Sequence, residues 1–493
     1  MLVSGPLGPR DRSGIWVYPL DGSAPRKLID GASLAVLSPD NSQIAYLARG
    51  AIWVVKSSGE GARKIVEASP GYSLNEGFAW SPNGRRVGYG KRKPGEFSIE
   101  SYDLDTGRTS VVLWDPLAAD FCWTRDGRII YSRQEEHPNE TSANLWEIRV
   151  DPRTALARGK PRRLTNWGGY LFFGPSTDAA GSRLSFVRTR FRSTIYMGEL
   201  EAGGARLRTP RRLTFDEWLN WPTAWSPDGR SVLFTADRGG RLDIFRQNVD
   251  GRAPLAIVTG GEERRDARFS PDGRWILYLS SSDAGGRGQA SEAKLMRVAA
   301  DGGAPQPVLV VPGYSGHTRV ATSGTATVFD SPRFRCPAAP QSLCVLSEPN
   351  RDQVVFTAFD PVEGRKHEVA KIGAPLPELW DLSPNGQWLV LGRMQGGSIR
   401  LLSLAGLPAR DIPLNDWKNL QCLAWSSDGT AVFATAWASK DAPLLRISLD
   451  GDVRLLRKAL FHAENPVPSP DGRYLAFGEN TMESNVWVVQ NLR

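Results

Sequence analysis

The sequence predicts an all-β fold, and within that class a β-propeller of about ten four-stranded blades. Three observations carry the prediction. A tight-turn motif, clearest as Ser226-Pro227-Asp228-Gly229-Arg230, recurs as Ser38-Pro39-Asp40-Asn41, Ser81-Pro82-Asn83-Gly84, Thr124-Arg125-Asp126-Gly127, Ser270-Pro271-Asp272-Gly273, Ser383-Pro384-Asn385-Gly386, Ser426-Ser427-Asp428-Gly429 and Ser469-Pro470-Asp471-Gly472. Its steps are 43 and 43 from Ser38 through Ser81 to Thr124, 44 from Ser226 to Ser270, and 43 and 43 again from Ser383 through Ser426 to Ser469. A fixed period of this size marks an array of supersecondary units. Helix-period patterning is nearly absent between the turns.

Each element of a unit follows from its residue types. Pro227 presets φ for the first corner of the turn, Asp228 can bond back to the backbone, and Gly229 takes the positive-φ position. The turn therefore joins two strands, Thr223 to Trp225 and Ser231 to Thr235, as a hairpin. After Arg238-Gly239-Gly240 comes a third strand, Leu242 to Asn248, and Asp250-Gly251 turns the chain into a fourth, Leu255 to Val258. Third strands recur at Ile52 to Val55, Leu145 to Ile148, Leu445 to Ile447 and Asn485 to Val488. Four short antiparallel strands per unit match one propeller blade, whose two faces are covered by its neighbours around a ring.

In chain order, Ile15 to Val17 and Arg26 to Leu28 read as the second half of a blade, and units begin near Ala35, Ala79 and Phe121. A degenerate unit follows, with its turn at Thr177 to Gly181 and its second strand at Leu184 to Val187. Regular units begin near Ala224 and Arg268. In the irregular stretch 316–373, Leu343 to Leu346 is expected as an inner strand and Val354 to Phe359 as a third. Units near Leu382, Ala424 and Pro468 complete ten. The chain stops after a third strand, and a fourth supplied near the N-terminus would close a ring. Spacing loosens after Thr165, so two tandem rings are expected: residues 1–169 as a first propeller portion and 170–493 as a second of about seven blades. One large ring is the alternative.

With 493 residues, the chain exceeds one ordinary domain. The net charge of +8 sits on scattered arginines, as in Arg162-Arg163 and Arg211-Arg212, and reads as sheet-edge protection rather than a nucleic-acid surface. Four cysteines are too few for a disulfide scaffold. Cys122 and Cys422 read as small buried hydrophobes, whereas Cys336 and Cys344 could bridge in an oxidising compartment. No signal peptide is visible at Met1 to Gly14, and no apolar run is long enough for a membrane span. As written the chain reads as soluble.

No catalytic motif emerges. Gly313-Tyr314-Ser315-Gly316-His317 has its second glycine one place early for a nucleophile elbow and lacks the strand-to-helix context. Walker, kinase and zinc-protease motifs are missing. His137, His317, His367 and His462 fall in different units, so neither metal nor cofactor is expected. The turn aspartates read as backbone support. A binding reading rests instead on the connectors leading into first strands, which gather at one mouth of a propeller channel and mix aromatic with polar groups. The candidates are Asn166, Trp167 and Tyr170; Asp216, Glu217, Trp218 and Trp221; Arg265; Asp416 and Trp417; and His462 with Glu464. Such groups suit a protein or peptide partner, or a small ligand.

The Ser-Pro-Asp-Gly-Arg, Leu-Trp-Val and Asp-Gly-Gly pattern resembles the TolB-type, WD-like β-propeller repeat. Pro161 to Trp167, Asp243 to Gln247, Val355 to Pro361 and Asn485 to Trp487 are also similar to the propeller halves of acidobacterial-type receptors carrying a kinase or winged-helix effector and a membrane span. This chain has neither effector nor span. The resemblance implies a non-catalytic sensor or scaffold part of a bacterial signalling or envelope system, extracytoplasmic if it is a detached receptor portion. The alternative is a propeller hydrolase or lyase using acidic and histidine residues at the channel mouth.

Overall fold

The computed structural model describes residues 2–5, 14–19, 21–74, 77–93, 95–136, 142–151, 153–178, 180–238, 241–251, 253–281, 291–314, 332–349, 352–414, 417–437, 442–459 and 462–490. Among them every regular element is a β-strand, and most strands form four-stranded antiparallel sheets.

The repeated turn is built from its own side chains. Ser226 N–H donates to the Ser231 carbonyl at 2.8 Å, and Gly229 N–H to the Ser226 carbonyl at 2.9 Å. Asp228 Oδ1 accepts the Ser226 hydroxyl and, at 3.0 Å, the Arg230 N–H, while Ser226 Oγ accepts Ser231 N–H at 2.9 Å. Gly229 sits at φ 67°, where a side chain would be strained. Asn83 and Asn385 replace the aspartate in two copies and accept from Ser81 and Ser383 at 2.7 and 2.6 Å. A serine two residues before an amide or carboxylate thus satisfies the hairpin's buried polar groups, which explains why the motif recurs.

The described chain divides into two compact units, residues 1–190 with 483–493, and residues 191–482. These bounds differ from the seam at 169/170 that the loosened spacing suggests. Both crossings fall inside long strands, Arg183–Glu201 and Tyr474–Gln490. Asn485 to Val488 accordingly continues the strand that begins at Tyr474, rather than forming a separate third strand. No Gly-Asn or Asp-Gly turn interrupts residues 479–488, so nothing folds the chain back.

In residues 1–190, Leu2–Gly5, Gly14–Val17 and Arg26–Asp30 form a three-stranded sheet. Leu2–Gly5 is a strand the repeat did not predict. Four-stranded sheets follow over 33–67, 78–114 and 118–163, then Leu171–Thr177 pairs with the first part of Arg183–Glu201. Neighbouring sheets share cores: Ile15 with Ile44, Ile52 with Trp80, Phe97 with Phe121, and Ile130 with Phe186.

Residues 191–482 show six sets of strands among the described residues. Five are continuous in sequence, over 219–258, 263–314, 333–373, 379–413 and 420–459; the last four are separate sheets, whereas the 219–258 set is joined to the sixth by one parallel pair, Ser193 with Leu219. The sixth combines His462–Pro468, the first part of Tyr474–Gln490, the last part of Arg183–Glu201, and Arg211–Arg212. Each neighbouring pair shares a buried core: Ile244 with Ile276, Leu279 with Phe334, Phe356 with Trp380, Ile399 with Leu423, and Phe433 with Phe477. The last core, Ile195 and Ala476 with Trp225, returns to the first sheet, where the Trp225 indole donates to the Val467 carbonyl at 2.8 Å. Leu200 N–H donates to the Arg473 carbonyl at 2.7 Å, so strands from the two ends of the unit meet and close the ring.

The irregular blade corrects one strand assignment. Its first strand is Arg333–Arg335, and Cys344–Pro349, expected as the inner strand, is the second. Three residues alternating Arg, Phe and Arg carry too little apolar pattern to be read as a strand. Cys336 and Cys344 are joined by a disulfide across this hairpin, while Cys122 and Cys422 are free thiols.

Candidate functional site

The first strands of the blades in residues 191–482 lie beside one another, with Arg333–Arg335 and Leu379–Leu382 linked through Arg335 and Asp381, which makes them the innermost strands. Several are bulged. The register slips between Pro222 and Ala224, Arg265 and Arg268, Leu420 and Cys422, and Glu464 and Val467. At two bulges Asp266 and Asn465 take positive φ, 55° and 48°. A bulge re-aims side chains that a regular strand would bury between sheets. The expected connector residues Trp221, Arg265, His462 and Glu464 therefore belong to inner strands, Leu219–Trp225, Glu263–Phe269 and His462–Pro468.

One wall is an ion cluster tying three blades together. Arg335 bonds Asp266 at 3.2 Å and Asp381 at 2.8 Å, and Arg268 stands 3.5 Å from Asp266. Asp381 also accepts the Trp425 N–H at 2.8 Å. Burial alone would raise the Asp266 pKa, but Arg335, Arg268 and Arg333 outweigh it and hold the carboxyl below its ordinary value. Burial, with Arg335 adding to it, lowers Arg268 to about 10. Paired in this way, the cluster is a structural brace. Arg265, the sequence candidate on this side, is bonded to Glu263 at 2.6 Å.

The other wall forms where the ring closes. Ser193 Oγ donates to the Asn220 carbonyl at 2.8 Å and lies 3.3 Å from Glu464 Oε1. Glu464 also bonds the side chains of Asn480 and Trp221, and burial pushes its pKa up to about 7. Asn220 Nδ2 reaches Asp216 Oδ1 at 2.7 Å and the Trp218 carbonyl at 3.1 Å. Asp216 pairs with Arg238 at 2.9 Å, and Glu217 with Arg192 at 3.4 Å. His462 is buried, its pKa lowered by burial to about 4, with its ring 5.2 Å from Trp437. Trp437, Trp218 and Phe215 expose 39%, 45% and 58% of their surfaces, large fractions for such side chains.

Asp216, Glu217, Trp218, Trp221, His462 and Glu464 are thus gathered across neighbouring blades. Trp417 is not; it packs against the core between the 379–413 and 420–459 sheets. Asp416 lies outside the described residues, as do His137 and His317. Asn166, Trp167 and Tyr170 belong to the other unit. There Arg188 lies 4.2 Å over Tyr170 and 3.8 Å over Trp487, with Trp167 5.7 Å from Trp487, and Asn166 is exposed. Sequence reasoning missed Ser193 and Asn480, which sit inside the two long strands with no turn motif near them. It also missed Trp437, which follows a second strand.

Among the described residues no group of three or more His, Cys, Asp or Glu is placed to hold a metal ion, and no helix is long and apolar enough to cross a membrane.

No protein-family model matches the chain. An uncharacterised protein of Agrobacterium fabrum is 33% identical over 169 residues, 32% of this chain and 53% of the relative. The Tol-Pal system protein TolB of Francisella tularensis is 25% identical over 193 residues, 38% of this chain and 40% of that protein. The matched stretches thus cover about half or less of these relatives' own lengths. A solved TolB-type structure from Agrobacterium tumefaciens superposes with a TM-score of 0.45 at 16% identity, covering 59% of this chain and 99% of that one. Repeat motif, sheets and curated relatives converge on one description: an all-β propeller repeat chain similar to TolB.

Proposed function

We propose that the chain is a non-catalytic interaction module of the bacterial envelope. In this reading residues 191–482 take an extended peptide segment of a partner protein at the mouth where the ring closes. The observation that carries the reading is the convergence of Glu464, Ser193 and Asn220 at the ring closure, with two exposed aromatics tied to their neighbours: Trp218, whose carbonyl bonds Asn220, and Trp437, 5.2 Å from the His462 ring. Exposed aromatics around convergent hydrogen-bonding groups are what an anchoring pocket needs. Similarity to a Tol-Pal system protein supports the protein-binding class, and the Cys336–Cys344 disulfide favours an oxidising, extracytoplasmic compartment. The chain would then comprise two propeller portions in tandem, of which residues 191–482 carry the binding site.

The test is a selection of random linear peptides on the immobilised full chain, with binders remeasured on Trp218→Ala and Trp221→Ala. Binders that lose about tenfold or more on either variant are expected. Failure to recover any binder sensitive to these substitutions would remove the reading.

A further inference from the structure

We infer that Glu464 is the seat of a cationic side chain, the guanidinium or ammonium of an arginine or lysine in the bound peptide. The inference rests on the proposed channel-mouth reading and specifies the chemistry of its deepest contact.

The argument begins with charge pairing. Several acidic groups on the neighbouring strands are paired with arginines: Asp216 with Arg238 at 2.9 Å, Glu217 with Arg192 at 3.4 Å, Glu479 with Arg457 at 2.9 Å, and Asp266 and Asp381 with a shared Arg335. Glu464 has none among the described residues; its partners Ser193, Asn480 and Trp221 are all neutral. A carboxylate taken out of water without a counter-charge is costly, and the cost is relieved when a cation arrives. Glu464 as a residue is half-buried rather than fully enclosed.

A second observation concerns acceptors. Asn220 is fully buried, and with its amide nitrogen committed to Ser193, Asp216 and Trp218, its Oδ1 has no donor. Asn480 Oδ1 is likewise buried without a donor. Two amide oxygens near Glu464 therefore lack a donor. An arginine head supplies five N–H groups and a lysine head three, with no acceptor to be left stranded. The ring of Trp221, whose side chain bonds Glu464, adds a face on which a cation is attracted. An anionic side chain, which carries no donor, would leave the oxygens unsatisfied, and a neutral one would bring no counter-charge to Glu464.

The selected peptides supply the probe. Each arginine is replaced in turn by citrulline and each lysine by norleucine, and affinities are measured on the wild type and on Glu464→Gln. One replacement should cost about tenfold or more on the wild type and less than about twofold on the variant, whose affinity for the parent peptide is already reduced. If binders are sensitive to Trp218→Ala but tolerate every replacement and Glu464→Gln, the inference falls and the channel-mouth reading stands. If no binder responds to either Trp218→Ala or Trp221→Ala, both fall. Should Glu464→Gln lose its fold by circular dichroism, the replacement series on the wild type decides alone.

Discussion

Ser193 and Glu464, 271 positions apart in the chain, meet at 3.3 Å on the seam where residues 191–482 close on themselves. Ser193 lies in the strand entering the ring and Glu464 in the inner strand of the blade that completes it. The contact exists only because the unit is circular. It also places the carboxylate without an arginine at the seam rather than at one of the braced blades.

Glu464 is expected to cost stability. Its folded pKa of about 7 stands above the ordinary 4.5 because burial disfavours its charge. Between those values the folded state holds the proton more tightly. Its contribution is therefore fully present below pH 4.5 and is lost as pH rises to about 7. Glu464→Gln should remove that decline and raise stability at pH 8 by roughly 1–3 kcal/mol, with little change at pH 4.5. Urea unfolding at the two pH values measures it.

His462 works in the opposite sense. Burial lowers its pKa from 6.5 to about 4, so its contribution is present above pH 6.5 and is lost as pH falls toward 4. Across pH 4.5 to 6.5 the two slopes oppose each other. Stability should rise with pH in Glu464→Gln and fall with pH in His462→Gln, and the wild type should run between them. Parallel profiles for all three proteins would contradict the assignment of these slopes.

The turns give a graded prediction. Because Asn83 and Asn385 already fill the aspartate position with the same bond to serine, Asp228→Asn should change stability by less than about 0.5 kcal/mol. Asp228→Ala leaves the Ser226 hydroxyl and Arg230 N–H without this acceptor and should cost about 1 kcal/mol. Thermal or urea midpoints of the two variants separate the cases.

Cys336 and Cys344 are bridged across one hairpin. Thiol titration of the denatured, unreduced chain should find the free Cys122 and Cys422 alone, with all four reacting after reduction. Opening the bridge with a Cys344→Ser change should lower stability by about 2–3 kcal/mol on the chain-entropy account.

The repeat made most blades legible because one turn needs the same few residue types each time. Ser226 to Ser231 could be read as a hairpin since each residue has a backbone task. The inner halves of the first strands could not be read this way. Arg265, Asp266, Glu464 and Asn465 are polar, and a bulge breaks the period-2 alternation there, so they resemble loops in sequence. Ring closure hid for a different reason: Arg183–Glu201 and Tyr474–Gln490 each serve two units, with no turn to mark the passage. Trp167 and Tyr170 looked like exposed binding groups because Arg188, which lies over both, is eighteen or more residues away.

The closed ring of residues 191–482 underlies every functional statement, and amide hydrogen exchange on the full chain tests it directly. Leu200 N–H is bonded to Arg473 across the closure. Peptides covering 195–200 and 474–480 should therefore be protected as strongly as the 231–237 strand of a continuous blade. Rapid exchange in both closure strands, with 231–237 still protected, would mean that the ring is open and that the Glu464 pocket does not exist as described.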